Sequence, residues 1–241
     1  LPQKTLTSSV CKMSESVNTK SLMIRGSVPR ALSPFILKGK MSTQVASPSS
    51  HDIPPKAVMR GLGNYQFDKD GRYIQADFED LSVVSVLPPA PWEADIEPLR
   101  TQFMESLDNW MRKIRKKRRH FIFCGDFGIG ARTLDLEEWH QHNDTPGFTK
   151  SDRQWLDQML TEAGYVDAFR AVFANEVAYS WFPTEAELGM PNPGAWRTDL
   201  QLASQEIGKR ILTAGYVAKR PFDNRVPLVV DYDLAPDHDT V

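Results

Sequence analysis

The chain has 241 residues, of which 41% are hydrophobic and 25% are charged, and its formal net charge is −2. These values are ordinary for a globular protein and exclude a polycation, so any affinity for nucleic acid has to come from a local patch. The two cysteines, Cys11 and Cys124, have no CxxC spacing and no histidines at zinc-ligand spacing, which argues against a disulfide framework and a zinc site. No run of 18 apolar residues indicates a membrane span.

The composition changes near residue 52. Residues 1–50 contain eleven serines, seven Lys or Arg and a single acidic residue, Glu15, and they show no sustained helical or alternating pattern. This composition is typical of an organellar presequence or a disordered arm, and a plain tail is the simpler alternative. The chain begins with Leu1 rather than Met, which suggests processing or a fragment. We therefore expect a basic, Ser-rich extension over 1–53, a folded domain over 54–234 and an acidic tail over 235–241.

The first regular elements are predicted after Asp68. Residues 71–78 alternate between apolar and polar side chains and residues 82–87 are rich in Val, so together they predict an antiparallel hairpin. Apolar residues at spacings of three and four predict a helix over 97–118. The apolar run at 121–124 predicts a buried strand that ends in Gly and Asp.

A second helix and two further strands complete the predicted elements. Thr149 and Asp152 have capping-box spacing at the start of the helix, and Gly164 is placed to end it. Strands are predicted at 200–202 and 226–232. This mixture of hairpins and helices predicts an α+β fold with layers packed around a sheet.

Several segments, taken in order, resemble exonuclease III and the related apurinic/apyrimidinic endonucleases. They are FDKDGRYIQADF at 67–78, FCGDF at 123–127, GFT at 147–149, GYVDAFR at 164–170, YSW at 179–181, WRTDLQLAS at 196–204 and PLVVDY at 227–232. The resemblance implies a two-sheet α/β sandwich with helices outside and Mg²⁺-dependent cleavage of DNA at abasic sites and 3′ ends. It covers the C-terminal part of that fold only, so the N-terminal half is expected to be missing.

The resemblance also implies which catalytic positions this sequence keeps. Asp126 matches the Asp of the family's Gly-Asp-x-Asn motif, and Asp199 matches the Asp that normally pairs with a catalytic His. Leu87 stands for the active-site Tyr, Gly128 for the Asn of the motif, and Asn224 and Arg225 for the last two residues of the closing Ser-Asp-His motif. A guanidinium stays protonated near neutral pH and is a poor acid or base. No metal site is expected, because the family's metal-binding Asn and Glu have no counterpart either.

A dense basic run at the end of the first predicted helix is the candidate for nucleic-acid binding. It consists of Arg112, Lys113, Arg115, Lys116, Lys117, Arg118 and Arg119. Clustered cations release counterions from phosphates, although a solvated helix end is an equally good interpretation. Among the tryptophans, Trp196 is the best candidate for an exposed ring that stacks on a base, with core packing as the simpler role.

Two functional hypotheses follow. In the first, the chain is a non-catalytic, nuclease-like structural subunit, without a cofactor, of a mitochondrial ribonucleoprotein such as the mitoribosome. Other protein subunits would cover its open sheet face, one of them a separately encoded N-terminal half, and RNA is a further candidate partner. In the second, a partner chain completes the site, and the protein is a Mg²⁺-dependent apurinic/apyrimidinic endonuclease or 3′–5′ exonuclease in DNA repair. The incomplete catalytic set favours the first hypothesis.

Overall fold

The computed structural model describes residues 11–16, 19–26, 55–93, 95–183, 194–216 and 225–234, with the backbone alone for the first two ranges. The strands in these ranges are β1 (Cys11–Ser16), β2 (Thr19–Gly26), β3 (Ala57–Arg60), β4 (Tyr73–Asp77), β5 (Leu81–Val86), β6 (His120–Asp126), β7 (Tyr165–Asp167), β8 (Asp199–Ser204), β9 (Ile211–Tyr216) and β10 (Leu228–Asp233). The α-helices are α1 (Tyr65–Asp68), α2 (Glu97–Arg115), α3 (Lys150–Thr161), α4 (Ala168–Val172) and α5 (Gln205–Gly208).

The strands form two sheets. One sheet has six strands in the order β3-β4-β5-β6-β8-β7, and the other has four in the order β1-β2-β10-β9. β5 and β6 are parallel and are joined by α2, whereas the remaining neighbours in both sheets are antiparallel. The predicted α+β sandwich of two sheets with outer helices is therefore confirmed. None of the helices in the described ranges combines the length and the apolar character that crossing a membrane needs.

The helix α2 covers the outer face of the six-stranded sheet through its apolar stripe. Phe103, Leu107 and Ile114 are fully buried, and they pack in one cluster with Phe121 and Phe123 of β6. The predicted start of this helix is correct, but the helix ends at Arg115, three residues before the predicted end. Its position matters for function because it fixes β6, the strand that carries Asp126, against β5.

A second apolar cluster fills the space between the two sheets. Alternate residues of β10, Leu228, Val230 and Tyr232, are fully buried against side chains such as Val83 and Ile122 of the six-stranded sheet. This alternation is the pattern expected of a strand with one face in a core. Strand β10 thus covers part of the inner sheet face for which a partner subunit was predicted, and that partner stays a prediction.

The N-terminal segment differs from the sequence-based expectation. No strand was predicted within residues 1–50, yet β1 and β2 lie there, and β2 pairs with β10 in antiparallel register. Neither strand shows alternating side chains, and main-chain hydrogen bonds define them instead: β1 pairs with β2, and β2 pairs with the distant β10. The strands β3, β7 and β9 were also not predicted. The domain boundary at residue 53 stays a prediction, and the acidic tail lies outside the described residues.

A buried ion-pair network ties the loops around β8 together. Arg197, fully buried, donates from Nε to Asp135 Oδ1 at 2.6 Å and from Nη2 to Asp167 Oδ2 at 2.8 Å. Arg170 donates to the same Asp135 oxygen at 2.5 Å. Asp167 also caps α4 by accepting the backbone N–H groups of Phe169 and Arg170. Since Arg197 stands two residues before Asp199, this network fixes the approach of the chain to β8.

The core position of Phe103 leads to a stability prediction. Replacing Phe103 with Ala removes a fully buried ring that packs edge-on against Phe67, with ring centroids 5.3 Å apart. We expect the free energy of unfolding, measured by urea denaturation, to fall by about 3–5 kcal/mol. The control Tyr65→Ala removes an aromatic ring that is 83% exposed and should change it by less than about 0.5 kcal/mol. Equal losses in the two variants would contradict this assignment of the core.

The Asp135 network leads to a prediction about pH. Burial works to raise the pKa of the Asp135 carboxyl, but Arg197 and Arg170 outweigh it and hold that pKa below its usual value. The stabilisation is therefore complete above the unfolded pKa of about 4 and is lost as the pH falls through the folded value. Asp135→Asn should lower the free energy of unfolding by about 3–5 kcal/mol at neutral pH, because it removes the negative charge that both buried guanidinium groups contact.

The measurement is the free energy of unfolding of the wild type and of Asp135→Asn as a function of pH. The difference between them should shrink once the pH falls below about 4. Asp144→Asn, at an exposed carboxylate, is the control and should follow the wild type throughout. A difference between wild type and Asp135→Asn that stays constant down to about pH 2 would show that this carboxyl is not the group responsible.

Candidate active site

The two carboxylates that the resemblance singled out lie side by side. Asp126 is the last residue of β6 and Asp199 is the first residue of β8, and the antiparallel register pairs these two positions directly across the strands. Paired positions in an antiparallel sheet bring side chains to within about 5 Å of each other. The sheet therefore brings together the two carboxylates that the resemblance singles out, and their part in catalysis stays a prediction.

Arg225 bridges the two carboxylates. Its Nη2 lies 2.5 Å from Asp126 Oδ2, and its Nη1 donates to Asp199 Oδ2 at 2.9 Å. All three side chains are buried, with Asp199 fully so. Arg225 thus stands beside Asp199, where the resemblance places the family's catalytic His. Asn224, the other changed residue of that motif, lies outside the described residues.

The charge balance of this cluster is uneven, because one guanidinium faces two carboxylates. Burial raises the pKa of Asp199 to about 7, and the neighbouring charge of Asp126 adds to the rise, while Arg225 and Ser180 oppose it. With a proton on Asp199 the three buried groups carry no net charge. Burial therefore makes Asp199 easier to protonate than a free carboxyl, whereas the guanidinium itself does not titrate near neutral pH.

Three separate segments are joined to position Arg225 and Asp199. Ser180 Oγ accepts the backbone N–H groups of Thr198 and Asp199, both at 3.0 Å. The backbone of Trp181 exchanges hydrogen bonds with Trp196, and the N–H of Val226 donates to the carbonyl of Ser180 at 2.8 Å. These bonds fix residues 180–181, 196–199 and 225–226 relative to one another, so that the salt bridges form between rigid segments.

The change from Asn to Gly at position 128 has a steric reason. Gly128 has φ of +63°, and a Cβ atom built on it would lie 2.7 Å from Cδ of Pro91. The Pro-rich loop after β5 therefore occupies the space that a side chain at this position would need. The N–H of Gly128 donates to Asp126 Oδ1 at 3.0 Å, so the backbone still orients the carboxylate that begins the motif.

A cavity of about 460 Å³ opens beside Asp126. It is lined by Lys69, Asp70, Arg72, Leu87, Pro88, Ala90, Trp92, Glu93, Asp126 and Gly128. Arg100, itself buried, holds one wall by donating to the carbonyl of Pro89 at 2.7 Å. The cavity therefore combines two cations, three carboxylates and an apolar wall, in a volume that suits a small ligand or one nucleotide unit of a larger one.

The described residues do not fit a magnesium ion in this arrangement. Mg²⁺ in proteins is held by one or two free carboxylates together with waters and substrate phosphates. Here Arg225 already occupies one oxygen of Asp126 and one of Asp199, and the described residues contain no group of three potential ligands close enough to share an ion. Leu87 and Gly128, which line the cavity, bring no oxygen from their side chains.

The aromatic residues are arranged differently from what the sequence suggested. Trp196 is 4% exposed and packs edge-on against His142, with ring centroids 5.1 Å apart, so it has the core role and not the exposed one. Trp92, one of the six tryptophans that could stack on a base, lines the cavity, whereas the sequence favoured Trp196 for that role. In the sequence Trp92 simply follows three prolines, and this pattern does not indicate that Trp92 lies near Asp126.

The basic run lies at the other end of the sheet from the cavity. It precedes the first residue of β6, whereas Asp126 is the last, and seven residues of strand place them about 20 Å apart. Arg112 pairs with Asp108, and Arg119 donates to backbone carbonyls of the β4–β5 hairpin, including those of Phe78 and Leu81. Lys113, Lys116, Lys117 and Arg118 are exposed. Binding of nucleic acid by this run stays a prediction.

Comparisons of sequence place the chain among DNA-processing nucleases. It is 31% identical over 186 residues to the exodeoxyribonuclease of Bacillus subtilis, covering 76% of this chain and 71% of that protein. It is 28% identical over 157 residues to the DNA repair nuclease APEX1 of Danio rerio, covering 64% of this chain and 49% of that protein. It spans 23% of recombination repair protein 1 of Drosophila melanogaster, also at 28% identity. No family model matches the chain.

Solved structures share the fold. The 3′–5′ exonuclease NExo of Neisseria meningitidis superimposes with a TM-score of 0.65 at 20% identity, over 74% of this chain and 72% of that one. An AP endonuclease of Archaeoglobus fulgidus gives a TM-score of 0.65 at 18% identity, over 89% of this chain and 80% of that one. At these identities the likeness supports the two-sheet fold and does not by itself assign an activity.

Two expectations from the sequence are wrong. The expectation that the chain is not an enzyme is overturned by relatives that are named as nucleases and match it over most of its length. The expectation of no cofactor fails with it, because the activity that the resemblance implies for these relatives is Mg²⁺-dependent. The sequence argument failed because it treated each lost side chain as a lost function. What it identified correctly is the relationship itself: the chain belongs to the exonuclease III and apurinic/apyrimidinic endonuclease family.

Proposed function

We propose that this chain is a nuclease that hydrolyses phosphodiester bonds of DNA at abasic sites or 3′ ends. The observation that carries the proposal is the position of Asp126, held at the wall of a cavity that also contains Lys69 and Arg72. The relatives named above support the same reaction class. Lys69 and Arg72 are the cations for a phosphate in a cavity of mixed charge, where Asp70 Oδ2 lies 3.5 Å from Arg72 Nε and would be displaced by the phosphate. The carboxylate of Asp126 is the group that orients or activates water.

The residues have different roles in this proposal. Lys69 and Arg72 bind the phosphate, and Asp126 orients the attacking water from the opposite wall. Asp199 and Arg225 are positioning residues, because they are buried behind Asp126 and act on the substrate through it. Since the described residues do not fit Mg²⁺ as they stand, no step is assigned to the ion here.

Three predictions from the sequence are not tested by the structure or by the relatives. A partner chain that completes the site, RNA as a binding partner and a mitochondrial location each stay predictions. The first is the most closely connected with catalysis, because a second chain would be the source of further metal ligands. Cleavage assays of the chain alone, and of the chain purified together with the proteins that co-elute from its native source, would show whether cleavage requires a second chain.

Asp126→Asn tests the proposal directly. The substrates are a duplex with one abasic site and a duplex with a recessed 3′ end, each incubated with the full chain and Mg²⁺. We expect cleavage by the wild type and a rate at least about a hundredfold lower for Asp126→Asn, because the amide cannot activate water. Thermal denaturation of each variant establishes that it is folded.

Asp144→Asn is the matched control, since it changes an exposed carboxylate in the same way and should cleave at the wild-type rate. Failure of the folded wild type to cut either substrate in the presence of Mg²⁺ would refute the proposed function. An unchanged rate in Asp126→Asn would instead remove Asp126 from the mechanism.

A further inference from the structure

One side chain in the cavity wall has no role in the hydrolytic proposal. Trp92 lines the cavity together with Asp126 and Arg72, and its ring stacks on that of Trp181 with centroids 5.9 Å apart and planes inclined by 24°. We propose that Trp92 stacks on an unpaired nucleobase next to the bound phosphate, so that the preferred substrate is a strand with an unstacked base at this point. The inference rests on the proposed function and adds the substrate class to it.

The support beneath Trp92 is rigid. Trp181 is 9% exposed and belongs to a buried cluster with Leu136, Phe148 and Trp196. Its backbone donates to and accepts from Trp196 at 2.9 and 3.0 Å. Because Trp181 is held in this way, the ring of Trp92 that stacks on it keeps its orientation before any ligand arrives. A preorganised aromatic face loses little conformational entropy on binding.

The chemistry of the cavity matches the two ends of a nucleotide. Lys69 and Arg72 provide positive charge for a phosphate, and Leu87, Pro88 and Trp92 provide an apolar wall for a flat ring. Proteins that bind single strands use this combination of cations for the backbone and aromatic rings for the bases. A base that is paired inside a duplex keeps its faces against its neighbours, so only an unpaired base can present a face to Trp92.

The inference predicts a coupling between Trp92 and the base. The probes are a thymidine pentamer and a pentamer of the same length with a tetrahydrofuran in place of every nucleoside, which keeps the phosphates and lacks the bases. Dissociation constants are measured by fluorescence anisotropy without Mg²⁺, so that neither strand is cut. The wild type should bind the thymidine pentamer about tenfold more tightly than the base-free one.

Variants separate stacking from packing. Trp92→Ala should bind the two pentamers with equal affinity, whereas Trp92→Phe keeps an aromatic face and should retain most of the preference. Trp139→Ala is the control, because Trp139 is 43% exposed and does not line the cavity. It should behave as the wild type does. Thermal denaturation of Trp92→Ala shows whether removing the ring has loosened Trp181.

Three results would overturn the inference. They are a wild type that binds both pentamers with equal affinity, a Trp92→Ala variant with an unchanged preference for the thymidine pentamer, and a Trp92→Ala variant in which the affinity for both pentamers falls by the same factor. The cleavage assays distinguish this failure from failure of the proposed function. A chain that cuts abasic DNA without any preference for bases loses only the inference, and a chain with a Trp92-dependent preference that cuts nothing loses only the nuclease activity.

Discussion

The bridge that Arg225 forms between Asp126 and Asp199 is the interaction on which the site depends. Two carboxylates at paired positions of adjacent strands repel each other, and burial makes that repulsion more costly. A single guanidinium with two parallel N–H groups relieves it, because each nitrogen of the fork reaches one carboxylate. The bridge thereby holds the end of β6 to the start of β8. Asp126 lines the cavity, and its Oδ1 accepts a hydrogen bond from the N–H of Gly128.

The substitutions in this site depend on one another in space. Pro91 occupies the volume above position 128, which leaves room for a glycine and no more, and the same Pro-rich loop carries Trp92 into the cavity wall. Arg100 fixes that loop from below by binding the carbonyl of Pro89. The loop after β5 therefore gives its side of the cavity an apolar and aromatic surface, formed by Leu87, Pro88 and Trp92.

Much of the fold could be predicted from the sequence where side-chain periodicity records the environment. The stripe in α2 predicted the correct helix because it is buried along one face, and Thr149 predicted the correct start of α3 because its side chain caps the helix. The alternation in β4 also predicted a strand, although four consecutive residues of β4, on both of its faces, are buried. The strands β1 and β2 could not be predicted, since neither shows a side-chain pattern and the hairpin that they form joins the sheet through β10, some two hundred residues away from β2. Asp126 and Asp199 were found through the motifs that contain them. Trp92 was not, because its place in the cavity follows from the stack on Trp181 and from no pattern in its own segment.

A double-mutant cycle on the free energy of unfolding tests the bridge most directly. Arg225→Gln, Asp126→Asn and the double variant are compared with the wild type by urea denaturation at neutral pH. Buried partners that are joined by a salt bridge are not additive, so we predict a coupling of at least about 1.5 kcal/mol between the two positions. Additivity to within about 0.5 kcal/mol would contradict the account, because it would mean that the guanidinium does not hold the two strand ends together.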